Sequence, residues 1–249
     1  MGYKAAKCPM DMWVYEELMH KLQTDLLVET GTLLGGELRT DQAVTLQPAG
    51  SAVSVRGLQI NGRSVDRAEA GNRVAVNLRN VNLKDVTPGD TLCARDLFQS
   101  SERFDVVFDQ HTRDSRPLRH MEEVTALFGT RHCSARVRLY THSADTPFAQ
   151  IEFRSPQIAF AGQRFILRRP ATAETVAGGT ILDPDAQLVT RQKALHIKVL
   201  EMTQRGDPRS LAKLMAERDR GCIDLTALSR LARCSVDTCK TAIATEFIL

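Results

Sequence analysis

No stretch of the 249-residue sequence approaches the roughly 18 uninterrupted apolar residues that a transmembrane helix requires, and its first thirty residues hold no signal-peptide core. A cytoplasmic location with no membrane partner is the expectation. Low-complexity and collagen-like segments are missing too. With 43% hydrophobic and 25% charged residues, the composition is that of a globular protein with enough apolar side chains for one large domain or two to three small ones. Cysteines in CxxC pairs are absent: the six thiols, Cys8, Cys93, Cys133, Cys222, Cys234 and Cys239, are scattered, which argues against a disulfide framework or a zinc site and for buried structural thiols. A large net charge is lacking as well, at +3. That excludes a basic nucleic-acid footprint averaged over the surface. The excess is local, because residues 186–249 carry 11 basic against 7 acidic side chains while the remainder is balanced.

Hydrophobic periodicity divides the chain into four segments. Residues 1–23 carry a helical stripe of Met12, Tyr15, Leu18, Met19 and Leu22 that includes the single tryptophan, Trp13. Packing is its simplest role, with partner docking as the alternative. From residue 24 to 98 the period is two, as in Val53-Ser54-Val55-Arg56-Gly57-Leu58-Gln59-Ile60 before the hairpin signal Asn61-Gly62, and the spacing predicts a small closed β-barrel. A second barrel is predicted over 99–185 from Phe104–Phe108, Ala135–Leu139, Ala149–Phe153 and Arg164–Leu167. After Asp183-Pro184 the period becomes helical. Leu195, Val199 and Met202 mark a helix ending at Gly206, and Leu211, Leu214 and Met215 one ending at Gly221. Residues 224–232 and 235–239 read as two helices across a tight turn, a helix-turn-helix pattern. The fold class is therefore mainly β, two tandem small barrels followed by an α-helical segment over 186–249.

Particular strings carry a resemblance. Glu29-Thr30-Gly31-Thr32-Leu33-Leu34-Gly35-Gly36-Glu37-Leu38, Val55-Arg56-Gly57-Leu58-Gln59, Ala70-Gly71-Asn72-Arg73-Val74-Ala75-Val76-Asn77-Leu78 and Thr87-Pro88-Gly89-Asp90-Thr91-Leu92 resemble the second domain of translational GTPases. The nearest likeness is to the selenocysteine-specific elongation factors. Residues 99–185, closing on Gly178-Gly179-Thr180-Ile181-Leu182-Asp183-Pro184, look like the third domain of that family, and residues 186–249 resemble the start of its C-terminal winged-helix extension, truncated before the wing. The resemblance implies a translation factor that holds selenocysteyl-tRNA for insertion at recoded stop codons. In the intact family GTP and magnesium are the cofactors, and distal modules engage the ribosome and an mRNA hairpin.

The departures bound what this chain is expected to do. No GxxxxGK(S/T) phosphate loop occurs, so the chain is expected to hold no cofactor and to be no enzyme by itself, with a GTPase domain supplied in trans or lost. Residues 21–26 contain no counterpart of the family's Asp-Arg pair.

Site candidates follow from the matched positions. Arg73 corresponds to the family's pocket arginine, where a guanidinium would favour an ionised selenolate over a serine hydroxyl; an outward strand arginine in a surface ion pair is the other reading. Arg164, Arg168 and Arg169, with Arg136 and Arg138 on one strand face, suit tRNA phosphates or a solvated surface. Arg230, Arg233 and Lys240 flank the helix-turn-helix and suit either nucleic acid or architecture. His111, His120, His132 and His142 lack metal-site spacing, and His132-Cys133 point to opposite faces of a strand, so no metal or hydrolytic site is expected. Rival readings are a non-enzymatic interaction module, a non-functional remnant, or a piece of another tRNA-carrying GTPase.

Overall fold

The structure, a computed structural model, describes residues 27–32, 36–95, 98–111, 116–140, 147–189 and 193–244. The amphipathic stripe of residues 1–23, residues 21–26 and His142 lie outside the described residues. The chain forms two compact units divided between residues 97 and 98.

In the first unit, alternation of Val, Leu and polar residues produces strands β1 (Leu27–Thr32), β2 (Glu37–Arg39), β3 (Ala43–Gln47), β4 (Ser51–Ile60), β5 (Arg63–Val65), β6 (Arg67–Glu69), β7 (Arg73–Arg79) and β8 (Thr91–Cys93). The principal ladder runs β1-β7-β4-β3-β8, with β5 paired to β4. Asn61 and Gly62 form the two-residue loop between Ile60 and Arg63, both at positive φ (51° and 75°), which is the twist-matched hairpin turn this dipeptide favours. Among the described residues this ladder has β1 and β8 at its two ends, and the unit is the first of the two small barrels expected from the sequence. The separate β2–β6 ribbon inserts Leu38 and Ala68 into the core of Val44, Leu46, Val53, Val55, Leu58, Val74, Val76 and Leu78.

The second unit contains a closed antiparallel barrel of β9 (Ser101–His111), β10 (Glu122–Phe128), β11 (Arg131–Leu139), β12 (Phe148–Gln157), β13 (Arg164–Arg168) and β14 (Thr175–Asp183), ordered β10-β11-β12-β9-β14-β13. Edge-to-face contacts of Phe104 with Phe128 and Phe153, at centroid separations of 5.6 and 4.7 Å, anchor its core. Where β14 crosses β9, a side chain at Gly179 would place its Cβ 2.0 Å from the Val107 carbonyl oxygen, so this position takes glycine alone.

Four helices complete the unit: α1 (Lys193–Arg205), α2 (Pro208–Arg218), α3 (Leu225–Ala232) and α4 (Val236–Ile243). Side chains of Asp207, Asp224 and Ser235 accept hydrogen bonds from the opening amides of α2, α3 and α4, and Pro208 occupies the first turn of α2, where no donor is lost. The Gly206 amide caps α1 at the Met202 carbonyl with φ +72°, as the sequence predicts. Leu211, Met215, Leu228, Leu231, Cys239 and Ile243 form the helical core. Leu200 of α1 packs instead with Val107, Tyr140, Phe148 and Leu182, so the helices are built onto the barrel wall.

Candidate ligand site on the first barrel

Strand β7 turns Val74, Val76 and Leu78 into the core and sends Arg73, Ala75 and Asn77 to the other face. Successive residues on that face are about 7 Å apart along the strand. Across the ladder Gly57 lies opposite Asn77, and Gln59 opposite Ala75. These four residues, with Ser64 and Asp66, line a cavity of about 150 Å³. That is room for about five waters at ~30 Å³ each, or for one small planar group.

The cavity's polarity is one-sided. Gln59 and Asn77 are each only 8% exposed, yet Gln59 Oε1 and Asn77 Oδ1 have no hydrogen-bond partner among the described residues. An unmade hydrogen bond at a buried acceptor costs about 1–3 kcal/mol, so these two oxygens suit N–H or O–H donors, from water or from a ligand. Arg73 stands exposed at the start of the same strand face. One end of the face therefore offers acceptors and the other a cation. Sequence reasoning found Arg73 and missed Gln59 and Asn77; their signal is parity with Arg73 along β7 and the cross-strand register, which only the ladder supplies.

The other site candidates separate by placement. In β13, Arg164 and Arg168 alternate outward with Ile166, while Phe165 and Leu167 point inward. Arg164 donates to Thr180 Oγ1 at 3.2 Å. Arg169, expected to meet phosphate, is buried: its Nε is 3.1 Å from Glu122 Oε1, its Nη1 is 2.9 Å from Glu174 Oε2, and its Nη2 donates to the Arg116 carbonyl at 2.7 Å. All three guanidinium nitrogens thus serve the barrel's own chain. Burial pushes the Glu122 carboxyl up, but the Arg119 amide and the Arg169 and Arg116 guanidinia outweigh it and hold it below the usual carboxylate range. Arg136 shares Glu123 with Arg154, at 3.2 and 2.9 Å, and Arg138 pairs with Glu152 at 2.5 Å. Arg138 is the more enclosed of the two.

Arg230 is turned inward as well. Its Nε lies 2.8 Å from Asp183 Oδ1 and its Nη1 3.2 Å from Asp185 Oδ2, tying α3 to the end of β14. Burial raises the Asp183 carboxyl above its ordinary value despite Arg230, and Asp105 adds to the rise. Arg233, in the left-handed conformation that ends α3, and Lys240, 3.9 Å from Asp237, are exposed.

One buried polar cluster escaped the sequence reading altogether. Asp105, fully buried in β9, accepts from Tyr140 Oη, from Gln150 Nε2 at 3.0 Å and from His196 Nε2 at 2.7 Å. His196 Nδ1 in turn lies 3.3 Å from Arg218 Nη1. Burial and the neighbouring Asp105 carboxylate drive the Tyr140 hydroxyl far above its ordinary value, so it remains a donor. The signal was a charge inside the apolar run Phe104–Phe108, matched by Gln150 and Asp183 at paired positions on both flanking strands. No group of three or more His, Cys, Asp or Glu residues with metal-site geometry occurs among the described residues.

Comparison with known proteins agrees with this architecture. Residues 102–188 match the family described as selenocysteine-specific elongation factor, beta-barrel domain, and residues 28–93 match elongation factor Tu domain 2. The chain is 32% identical over 178 residues to a selenocysteine-specific elongation factor of Desulfomicrobium baculatum, covering 70% of this chain and 27% of that protein. It is 24% identical over 200 residues to the Escherichia coli factor of the same name, covering 80% of this chain and 31% of that one. It thus spans about a third or less of these relatives. Among solved structures, a bacterial selenocysteine-specific elongation factor superposes with a TM-score of 0.62 at 19% identity, covering 89% of this chain and 39% of that one. At that identity the superposition speaks for the fold alone.

Proposed function

We propose that this chain, whose first barrel matches elongation factor Tu domain 2 and whose second matches the selenocysteine-specific elongation factor beta-barrel domain, is the tRNA-holding portion of a selenocysteine-specific factor and that its ligand is selenocysteyl-tRNA. The observation that carries this reading is the face of β7, where a cavity with two unpartnered amide oxygens adjoins an exposed arginine. A nucleobase edge supplies the N–H donors that Gln59 and Asn77 lack, and Arg73 suits the anionic end of the same ligand. Selenocysteine is ionised at neutral pH and serine is not. A guanidinium beside the side chain therefore favours the selenolate by a charge-assisted contact of about 1.5–3 kcal/mol, roughly a 10- to 100-fold preference.

Arg164 and Arg168 point outward from the second barrel, where they would meet tRNA phosphates. The helical segment is read as the beginning of a winged-helix extension, with Lys240 as an outward cation and Arg233 exposed beside Gly162 of the barrel. Delivery to the ribosome and GTP hydrolysis need a phosphate loop that these residues do not contain, so on this reading both require a GTPase domain supplied elsewhere or lost.

The test is filter binding of the chain to selenocysteyl-tRNA and seryl-tRNA at moderate salt. A preference for selenocysteyl-tRNA that Arg73→Ala reduces about tenfold, while leaving seryl-tRNA binding unchanged, is expected. Equal binding of the two tRNAs, unaffected by Arg73→Ala, overturns the proposal.

A further inference from the structure

The turn between α3 and α4 brings two thiols together. Cys234 follows the left-handed Arg233, and its amide donates to the Ser229 carbonyl at 3.2 Å, while the Ser229 hydroxyl donates back to the Cys234 carbonyl at 2.5 Å. This reciprocal pair fixes where the Cys234 side chain starts. Ser235 then caps α4 through the Thr238 amide, which sets the rotation of the helix and brings Cys239, one turn in, back over the turn. The outcome is an Sγ–Sγ separation of 3.2 Å.

We propose that Cys234 and Cys239 are an oxidisable dithiol, a modification site at which a hydroperoxide closes a disulfide across the helix-turn-helix. Closing the gap from 3.2 Å to the ~2.05 Å of a disulfide needs side-chain rotation and a small local shift, because the backbone already presents the two sulfurs to each other. The two thiols differ in access, which orders the chemistry. Cys234 is half-buried and open to a small oxidant, whereas Cys239 is fully buried in the helical core. Burial, with the neighbouring Cys234, pushes the Cys239 thiol up to about 12, so it is not the sulfur that reacts first. Cys234 attacks the peroxide: its S–H and the O–O bond break, an S–O bond forms, and the alcohol or water leaves, giving a sulfenic acid. Cys239 then attacks that sulfur; the S–S bond forms, the S–O bond breaks, and the Cys239 proton departs with the hydroxide as water. One hydroperoxide is reduced by two electrons and the thiol pair is oxidised by two.

Cys222 supplies an internal comparison. It is exposed, so it is the more accessible thiol, and no described cysteine partners it. If accessibility alone governed oxidation, Cys222 would react first and no internal crosslink would form. With a partner 3.2 Å away, the Cys234 sulfenic acid is captured before it oxidises further.

Sequence makes the readout direct, since trypsin cleaves after Arg233 and Lys240 and releases both thiols in one peptide, residues 234–240. The whole chain is treated with one to two equivalents of hydrogen peroxide, blocked with iodoacetamide and digested. The expected product is this peptide lighter by two hydrogens and carrying no alkyl group, restored to the doubly alkylated form by dithiothreitol. In Cys234→Ser the crosslink disappears while α4 retains its amide protection. In the oxidised wild type, exchange of the α4 amides slows about tenfold, because the link tethers the helix to the turn. Recovery of residues 234–240 doubly alkylated after peroxide, Cys234 stopped at sulfinic acid, or Cys234 linked to Cys222 in place of Cys239 each overturns the proposal.

Discussion

Gly179 and Gly178 are adjacent in β14, yet adding one methyl group to each should have opposite consequences. At Gly179 the new Cβ would stand 2.0 Å from the Val107 oxygen, 2.9 Å from its carbonyl carbon and 3.0 Å from Phe108 Cα. All three atoms are backbone of β9, a strand held by β12 on one side and β14 on the other, so none can swing away as a side chain would. At Gly178 the nearest atom is the Phe165 oxygen at 3.5 Å, an ordinary contact. Neither glycine has a positive φ, so alanine's backbone preference penalises neither. Replacing glycine restricts the unfolded chain and stabilises by about 0.4–1 kcal/mol where the native site accepts the methyl. Gly178→Ala should therefore be neutral or slightly stabilising. Gly179→Ala must force β14 away from β9, at a cost of about 3 kcal/mol or more, beyond the ordinary range of overpacking. For a unit of about 150 residues each kcal/mol moves the melting temperature by about 2–4 °C, so the Gly179→Ala transition falls by about 6–12 °C. Scanning calorimetry of the whole chain would report both variants side by side. A Gly179→Ala melt within about 2 °C of Gly178→Ala would refute the packing argument.

Two further outcomes test the ionic and polar groups described above. The Glu122 carboxyl is held below the usual carboxylate range, so it contributes stability that is complete above the unfolded value near 4.5 and is lost as pH falls through the lowered folded value; Glu122→Gln should weaken the second unit at pH 7 and flatten its loss of stability below about pH 4.5 in urea titrations, and an unchanged acid limb would count against the Arg169 network. Asn77→Leu removes an unpartnered buried acceptor and should raise the first unit's melting temperature, by about 1 kcal/mol in stability; a lowered one would mean that Asn77 already has a partner in solution.

What could be read from sequence was whatever repeats along the chain. Period-two runs and Asn61-Gly62 gave the strands and a hairpin, and the apolar spacing of Leu195, Val199 and Met202 ending at Gly206 gave a helix with its stop. Parity also held the answer for Arg169, which falls in step with Phe165 and Leu167 and so goes inward, while Arg164 and Arg168 go out. What escaped depends on which strand lies beside which. Gln59 and Asn77 become one site only through the β4–β7 register. Asp105, Tyr140 and His196 are separated by up to 91 residues and meet only because α1 folds back onto the barrel. The pairing of β2 with β6 as a ribbon apart from the main ladder is equally invisible to periodicity, which gives strands but not their partners.

The Asp105 carboxyl group also acts as a junction between the barrel and the helices of the second unit. Its three donors come from the end of β11, from β12 and from α1, and Arg230 of α3 grips the last strand at Asp183. Parting the helices from the barrel would take one donor from a buried carboxyl group and leave Asp183 without its cation, so two buried polar groups oppose that separation at once.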